Sequence, residues 1–210
     1  MDGSRWDERY AAADLVWSAG PNRFVEEVAG PLTPGRALDV AAGEGRNGLW
    51  LAERGWQVTA VDFSAVGLQR ARELAQHRLG DAADRFVTVQ ADVTRWSPPV
   101  AAFDLVVVAY LQLPAEQRRV ALRNAAAGTA PRGTLLVVAH DRDNLTAGAG
   151  GPQDPAVLYT ADDVVADLAG SGLVIHRAEQ VRRPVPAEDG PDRTALDCLV
   201  VAVRPPEDRA

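Results

Sequence analysis

Apolar residues follow two rhythms along this chain, and their alternation is the first sign of its architecture. Compact apolar runs from Arg36 to Ala42, Gln57 to Asp62, Phe86 to Val93, Phe103 to Tyr110 and Thr134 to His140 read as strands. Segments with helical signals lie between them. One helix starts near Arg46 and stops at Gly55. Another is capped by Ser64, runs to about Leu79 and closes at Gly80. A third opens at Pro114, where a missing N–H costs nothing, and ends near Gly128. This alternation predicts an α/β fold, doubly wound around a mostly parallel sheet.

The flanking segments behave differently. Trp6 to Ser18 reads as a helix with Ser4 and Asp7 as a capping pair, and a second helix spans about Pro21 to Ala29. Residues 1–30 are expected to form a helical cap on a domain covering 31–210, the two making one structural unit. Asp141 to Tyr159 carries Gly148, Gly150, Gly151, Pro152 and Pro155, and reads as a long loop, either functional or disordered. Thr160 and Asp163 cap a helix ending at Gly170. The last two strands, Leu173 to Arg182 and Thr194 to Arg204, are joined by a proline-rich link with no helical pattern. A parallel crossover needs more chain, so they are expected to pair as an antiparallel hairpin. The sheet then has seven strands, five parallel plus the hairpin.

Composition narrows the function. The 210 residues suit one domain, and 47% apolar with 24% charged residues is the balance of a soluble globular protein. No apolar run reaches the roughly 18 residues of a membrane span, and Met1 to Tyr10 has no apolar signal core, so a cytoplasmic protein without a membrane partner is expected. All 22 lysine-plus-arginine positions are arginine, which removes Schiff-base and P-loop chemistry. The net charge of −7 argues against nucleic acid, and the Arg182–Arg183 pair reads as a solvated strand end. His77, His140, His176 and Cys198 are too scattered to hold a metal. Cys198 alternates with Leu196 and Val200 and reads as buried. A monomer or homodimer acting on a small molecule is expected.

The richest segment is Ala37-Leu-Asp-Val-Ala-Ala-Gly-Glu-Gly-Arg-Asn-Gly48. A strand runs into Gly43, Gly45 and Gly48, and a helix follows. Glycines allow close backbone approach to a ligand, and a helix start offers free N–H groups. The G-x-G-x-x-G spacing alone also fits a dinucleotide in a nicotinamide-dependent oxidoreductase. Asp39 weighs against that ligand. A carboxylate there repels a pyrophosphate but can accept from an ammonium; its alternative role is a turn or helix cap. Asp62, at the end of the second strand, is placed to accept ribose hydroxyls or to cap the Ser64 helix. Asp92 is placed to accept from an adenine amino group, with Val93 and Phe63 on the ring faces, unless Val93 is simply core.

The runs Leu38-Asp-Val-Ala-Ala-Gly-Glu-Gly-Arg-Asn47, Val58-Thr-Ala-Val-Asp62 and Ala91-Asp-Val93 resemble motifs I to III of class I S-adenosylmethionine-dependent methyltransferases. The Gly-Glu-Gly-Arg-Asn form, followed by Leu49-Trp-Leu-Ala and Gly55, is similar to the tellurite-resistance and thiopurine-type small-molecule enzymes. Where that family usually has a Gly-Cys or similar pair, this chain has Ala41-Ala42. The resemblance implies S-adenosylmethionine as cofactor and S-adenosylhomocysteine as product. It places Gly43 and Gly45 against the methionine part, Asp62 on the ribose and Asp92 at the adenine, with Ala41, Arg46 and Asn47 as further cofactor-binding candidates. Ala109 to Leu111 would line the methionine arm. Thiol, chalcogen oxyanion and small aromatic hydroxyl acceptors follow by resemblance only.

Open α/β sheets carry their sites beyond the C-terminal strand ends, which puts Tyr110, His140 and Asp141 near the transferred methyl. His140 is a candidate base, or a strand-end histidine bonded to backbone. Trp6, Tyr10, Ala13 and Trp17 share one helical face and read as a docking stripe, an aromatic lid, or both. Asn22 and Arg23 are candidates for contact with the cofactor carboxylate or acceptor. Tyr159 is expected either to face the pocket or to pack beneath the loop. A non-catalytic nucleoside-binding module is the remaining alternative.

Overall fold

The computed structural model describes residues 20–185 and 192–207. The expected helix from Trp6 to Ser18, with its aromatic face of Trp6, Tyr10 and Trp17, lies outside them. Seven strands form one sheet: β1 (Arg36–Val40), β2 (Gln57–Asp62), β3 (Phe86–Gln90), β4 (Phe103–Ala109), β5 (Thr129–His140), β6 (Val174–Val185) and β7 (Arg193–Val203). Their order is β3-β2-β1-β4-β5-β7-β6. The first five pair in parallel, while β7 runs antiparallel between β5 and β6. This is the predicted doubly wound sheet with its terminal hairpin.

The helices are α1 (Arg23–Ala29), α2 (Arg46–Glu53), α3 (Ala65–Leu79), α4 (Ala115–Gly128), α5 (Asn144–Ala147) and α6 (Ala161–Asp167). Their starts follow the capping chemistry of the sequence. The Ser64 side chain accepts from Gly67 N–H at the head of α3. Thr160 and Asp163 form a reciprocal capping box at α6. Asn22 caps α1 by accepting from Phe24 N–H, so that helix begins later than Pro21. None of the described helices is long and apolar enough to cross a membrane.

Strand alternation divides the core into two layers. Leu38, Val40, Val106, Val108, Leu135 and Val137 pack with α4 and α6, where Leu122, Tyr159 and Val164 are buried. Ala37, Val58, Leu105, Val107, Leu136, Val138 and Leu199 pack with α1, α2 and α3 through Phe24, Val25, Leu49 and Ala71. With period two, Asp39 shares the second face with Ala37, His140 with Val138, and Asp197 with Leu199. Register alone therefore brings the candidate site to one side of the sheet.

Three strands stop sooner than their apolar runs. β1 ends at Val40, and Ala41 turns into the left-handed region with φ 57. β4 ends at Ala109, and Tyr110 does the same with φ 58. β3 ends at Gln90 instead of Val93. β5 differs at its other end, starting at Thr129 instead of Thr134. The Pro131–Gly133 stretch, which looks like a turn in sequence, is carried in the strand, with a register shift between Phe103 and Leu105 of β4 and a positive φ of 65 at Arg132.

The loop from Asp141 to Tyr159 is not structureless. It contains α5 and a 3-10 turn at Pro155–Val157. Asn144 fixes it by accepting from Leu196 N–H of β7 and donating to the Gly150 carbonyl. The Gln112 amide donates to the Val157 carbonyl and accepts from His140 N–H.

Candidate active site

β1 and β4 are neighbours in the sheet, although two strands separate them in sequence. Open α/β sheets bind ligands at such a switch point. Ala41 and Tyr110, the residues leaving these two strands, both hold left-handed backbone. For non-glycine residues this costs on the order of 1–3 kcal/mol each and is concentrated at functional sites.

The glycine loop sits over the end of β1. Gly45 has φ 80, and a Cβ there would lie 2.9 Å from Cζ of Phe86. A Cβ on Gly48 would lie 2.8 Å from Cε2 of the same ring. Both positions therefore let α2 press against β3. Asp39, only 1% exposed, accepts from Gly48 N–H at 2.9 Å. Burial pushes its carboxyl up to about 7, against the opposing pull of the Gly48 N–H and of Arg46; the Asp62 charge adds to the rise. The capping role open to Asp39 in the sequence is thus present in the structure.

Asp62 is likewise occupied by backbone. It accepts from Gly43 N–H and from Ser64 N–H, each at 2.8 Å, tying the glycine loop to the end of β2. Arg46 and Asn47 open α2. The Arg46 guanidinium lies 5.9 Å from the Tyr110 ring centre, and Asn47 Oδ1 accepts from Asn22 N–H. Asp92 is half-exposed beyond β3 and accepts from the Thr94 hydroxyl and N–H, which hold its carboxyl below the usual range against partial burial. Val93 is a core residue, whereas Phe63 is partly exposed. Leu111 is buried, and its carbonyl accepts from the Tyr159 hydroxyl. Tyr159 thereby packs beneath the loop, fully buried in the α4–α6 layer, and does not face the site.

A second polar centre stands across the switch point. The Tyr110 hydroxyl donates to Asp197 Oδ2 at 2.8 Å and accepts from Asn22 Nδ2 at 3.1 Å. Arg183 Nε reaches Asp197 Oδ2 at 2.8 Å and the Tyr110 oxygen at 3.0 Å. His140 Nδ1 lies 3.2 Å from Asp197 Oδ1, and the His140 and Tyr110 rings are 4.8 Å apart. Burial opposes the charge on Asp197, but His140, Arg183 and Tyr110 hold its carboxyl below the usual range. Burial and the Asp197 charge push the Tyr110 hydroxyl up. Asp141 is buried beside this centre, its carboxylate accepting from Asp143 N–H and the Gln180 amide.

The sequence reading missed Asp197 and misplaced Arg183. Arg183 is no solvated strand end: it is three-quarters buried and ion-paired, while its neighbour Arg182 points outward. An acid inside the apolar run Ala195 to Val203 was the signal that pointed to Asp197. Asn22, expected to touch a ligand, spends its polar groups on Asn47, Phe24 and Tyr110. Arg23 stands exposed, 5.3 Å from the Phe24 ring centre. Cys198 is fully buried, as expected, and burial raises its thiol.

Residues 37–133 match the family described as a methyltransferase domain. Glycine N-methyltransferase of Rattus norvegicus is 31% identical over 153 residues, covering 67% of this chain and 52% of that protein. The chain thus spans about half the length of the curated relatives it matches. Among solved structures, the N-methyltransferase NodS from Bradyrhizobium japonicum, in complex with S-adenosyl-L-homocysteine, superposes with TM-score 0.73 at 18% identity, over 98% of this chain and 100% of NodS. TehB from Haemophilus influenzae gives 0.69 at 16% identity, over 96% of this chain and 66% of TehB. Residues 37–133 are thus similar to a methyltransferase domain, and the fold is the one seen in NodS, which was solved in complex with S-adenosyl-L-homocysteine.

The site's own chemistry fits a cationic nucleoside of that type. Asp39 and Asp62 are two buried carboxylates near the ends of adjacent strands, and the Asp62 charge adds to the cost of ionising Asp39. A ligand bearing an ammonium and a sulfonium relieves that cost, whereas a pyrophosphate increases it.

Proposed function

We propose that this protein transfers the methyl group of S-adenosylmethionine to a small-molecule acceptor. The observation that carries the reading is the buried, proton-retaining Asp39 beneath the glycine loop at the β1–β4 switch point. When bound, the cofactor supplies a sulfonium-activated methyl group.

In this reading Asp39 accepts from the ammonium, while Ala41, Gly43, Gly45, Arg46 and Asn47 surround the amino-acid end. Asp62, at the end of β2, holds the ribose hydroxyls. Asp92 meets the adenine amino group, with Phe63 and Val93 beside the ring. The backbone from Ala109 to Leu111 lines the methionine arm. Tyr110, His140 and Asp141 form the acceptor side; the aromatic residues Trp6, Tyr10 and Trp17 lie outside the described residues. Orientation and exclusion of water then supply most of the acceleration.

Thiols, chalcogen oxyanions and small aromatic hydroxyls remain acceptor classes to screen. The likeness to glycine N-methyltransferases and to an N-methyltransferase structure adds small amines. Calorimetric titration with S-adenosylmethionine, S-adenosylhomocysteine and NADH in parallel tests the reading. Micromolar binding of the two sulfur nucleosides, with none for NADH, is expected. Binding of NADH alone overturns it in favour of the oxidoreductase. Binding of the nucleosides without turnover of any acceptor class favours a nucleoside-binding module.

A further inference from the structure

We infer that Asp197 is the positioning residue of a histidine base, holding His140 with Nδ1–H toward itself and Nε2 toward the acceptor, and that the acceptor arrives with a proton on its nucleophilic atom, as a hydroxyl or an ammonium. This rests on the methyl-transfer reading and narrows it.

The pair is built by register. His140 of β5 and Asp197 of β7 are direct partners across antiparallel strands, and their side chains stand on the same face. Asp197 is 0% exposed. Its Oδ2 is occupied by Tyr110 and Arg183. Oδ1 and His140 Nδ1 are both buried and 3.2 Å apart, and among the described residues each has only the other to turn to. A proton on Nδ1 satisfies both atoms. An imidazole with Nδ1–H carries its lone pair on Nε2. Nε2 is also the ring nitrogen that is not sealed, since the side chain keeps 14% exposure.

The surroundings keep the ring in this pose. The Gly151 backbone lies so close that a Cβ there would sit 2.9 Å from Cγ and Cδ2 of His140. The Tyr110 ring packs 4.8 Å away. The charged and titratable groups facing the imidazole are Asp197 from β7, Tyr110 beyond β4 and Arg183 from β6; the neighbouring Asp141 is turned toward Asp143 and Gln180. One carboxylate in contact with the ring stabilises the imidazolium once a proton arrives.

The step balances without a further reactant. An ammonium first gives a proton to Nε2 of His140, which frees its nitrogen lone pair, whereas a hydroxyl gives up its proton to Nε2 as it attacks. That lone pair forms the new bond to the methyl carbon, the carbon–sulfur bond breaks, its electron pair stays on sulfur, and the proton on Nε2 passes to solvent. A thiolate or an oxyanion has no proton to surrender and gains nothing from this pair.

Nitrogen-15 NMR of the three histidines, in protein saturated with S-adenosylhomocysteine, tests the assignment; His140→Gln identifies the resonance. Neutral His140 is expected as the Nδ1–H form, and Asp197→Asn is expected to raise the Nε2–H form to at least parity. An Nε2–H form in the unaltered protein overturns the proposal, and so does a tautomer indifferent to Asp197→Asn. For any acceptor that turns over, Asp197→Asn and His140→Gln should lower kcat by about a hundredfold with KM little changed, and Asp197→Glu should recover part of it. Full activity of His140→Gln defeats the base, whereas its loss beside a fully active Asp197→Asn defeats only the positioning role. Absence of S-adenosylhomocysteine binding in the unaltered protein defeats the underlying methyltransferase reading.

Discussion

The two halves of the site solve the problem of a buried carboxylate in opposite ways. Asp39 and Asp62, on the side proposed for the cofactor, are bonded to backbone N–H groups of nearby loops. Asp197, on the side proposed for the acceptor, is bonded to Tyr110 and Arg183 and lies 3.2 Å from His140, side chains from three other segments. The first arrangement leaves Asp39 reluctant to ionise, and the second keeps Asp197 ionised. A carboxylate awaiting a cation and a carboxylate already holding one share the same face of the sheet.

Removing Asp197 should have the largest effect. Asp197→Ala takes the carboxylate from the largely buried Arg183, the acceptor from the Tyr110 hydroxyl and the partner from His140, a change that typically costs about 3–5 kcal/mol. A lowered unfolding midpoint in calorimetry checks this; a loss no larger than for Asp39→Asn would erase the contrast between the halves.

Asp39→Asn should do the reverse. Without ligand, stability should hold or rise, because an unfavourable buried charge is gone. Affinity for S-adenosylhomocysteine should fall about a hundredfold, or ~2.7 kcal/mol. Calorimetric binding and unfolding on the same sample separate the two. Asp62→Ala should weaken the nucleoside at least tenfold, ~1.4 kcal/mol, with the fold retained. Unchanged affinity would remove the ribose assignment.

The smallest effect is in the pH dependence. The folded carboxyl of Asp39 titrates near 7, above its ordinary 3.8, so the folded state keeps the proton longer. Its contribution to stability is full below about pH 4 and is lost as pH rises through 7. Asp197, shifted down, contributes stability above its ordinary range that is lost on acidification. Asp39→Asn should therefore flatten the neutral limb of a stability profile, and Asp197→Asn the acid limb. Nucleoside binding near pH 6.5 should release a fraction of a proton, visible in buffers of different ionisation enthalpy, and Asp39→Asn should abolish that release.

The same contrast explains what the sequence revealed. Asp39 and Gly48 are nine residues apart, and Asp62 and Ser64 two, so local spacing exposes the cofactor loop. Tyr110 and Asp197 are 87 residues apart, and Arg183 and Tyr110 73, so no local window contains the acceptor side. His140 and Tyr110 were legible as strand ends. Their partner was not, because strand register between β5 and β7 decides who faces whom. Arg183 looked solvated because it ends a strand beside Pro184, yet alternation turns one arginine of the pair inward. The loop beyond β5 looked unstructured because its order comes from the long-range bond between Asn144 and Leu196.

The position of β7 between β5 and β6 also sets an order of assembly. The groups from Asp39 to Leu111 come from the first four strands and the segments that leave them, whereas Asp197 lies in β7. β6 has no place in the sheet until β7 slots in between it and β5. The proposed cofactor groups are therefore set by the first four strands, whereas the Asp197 centre waits for β7 to enter the sheet.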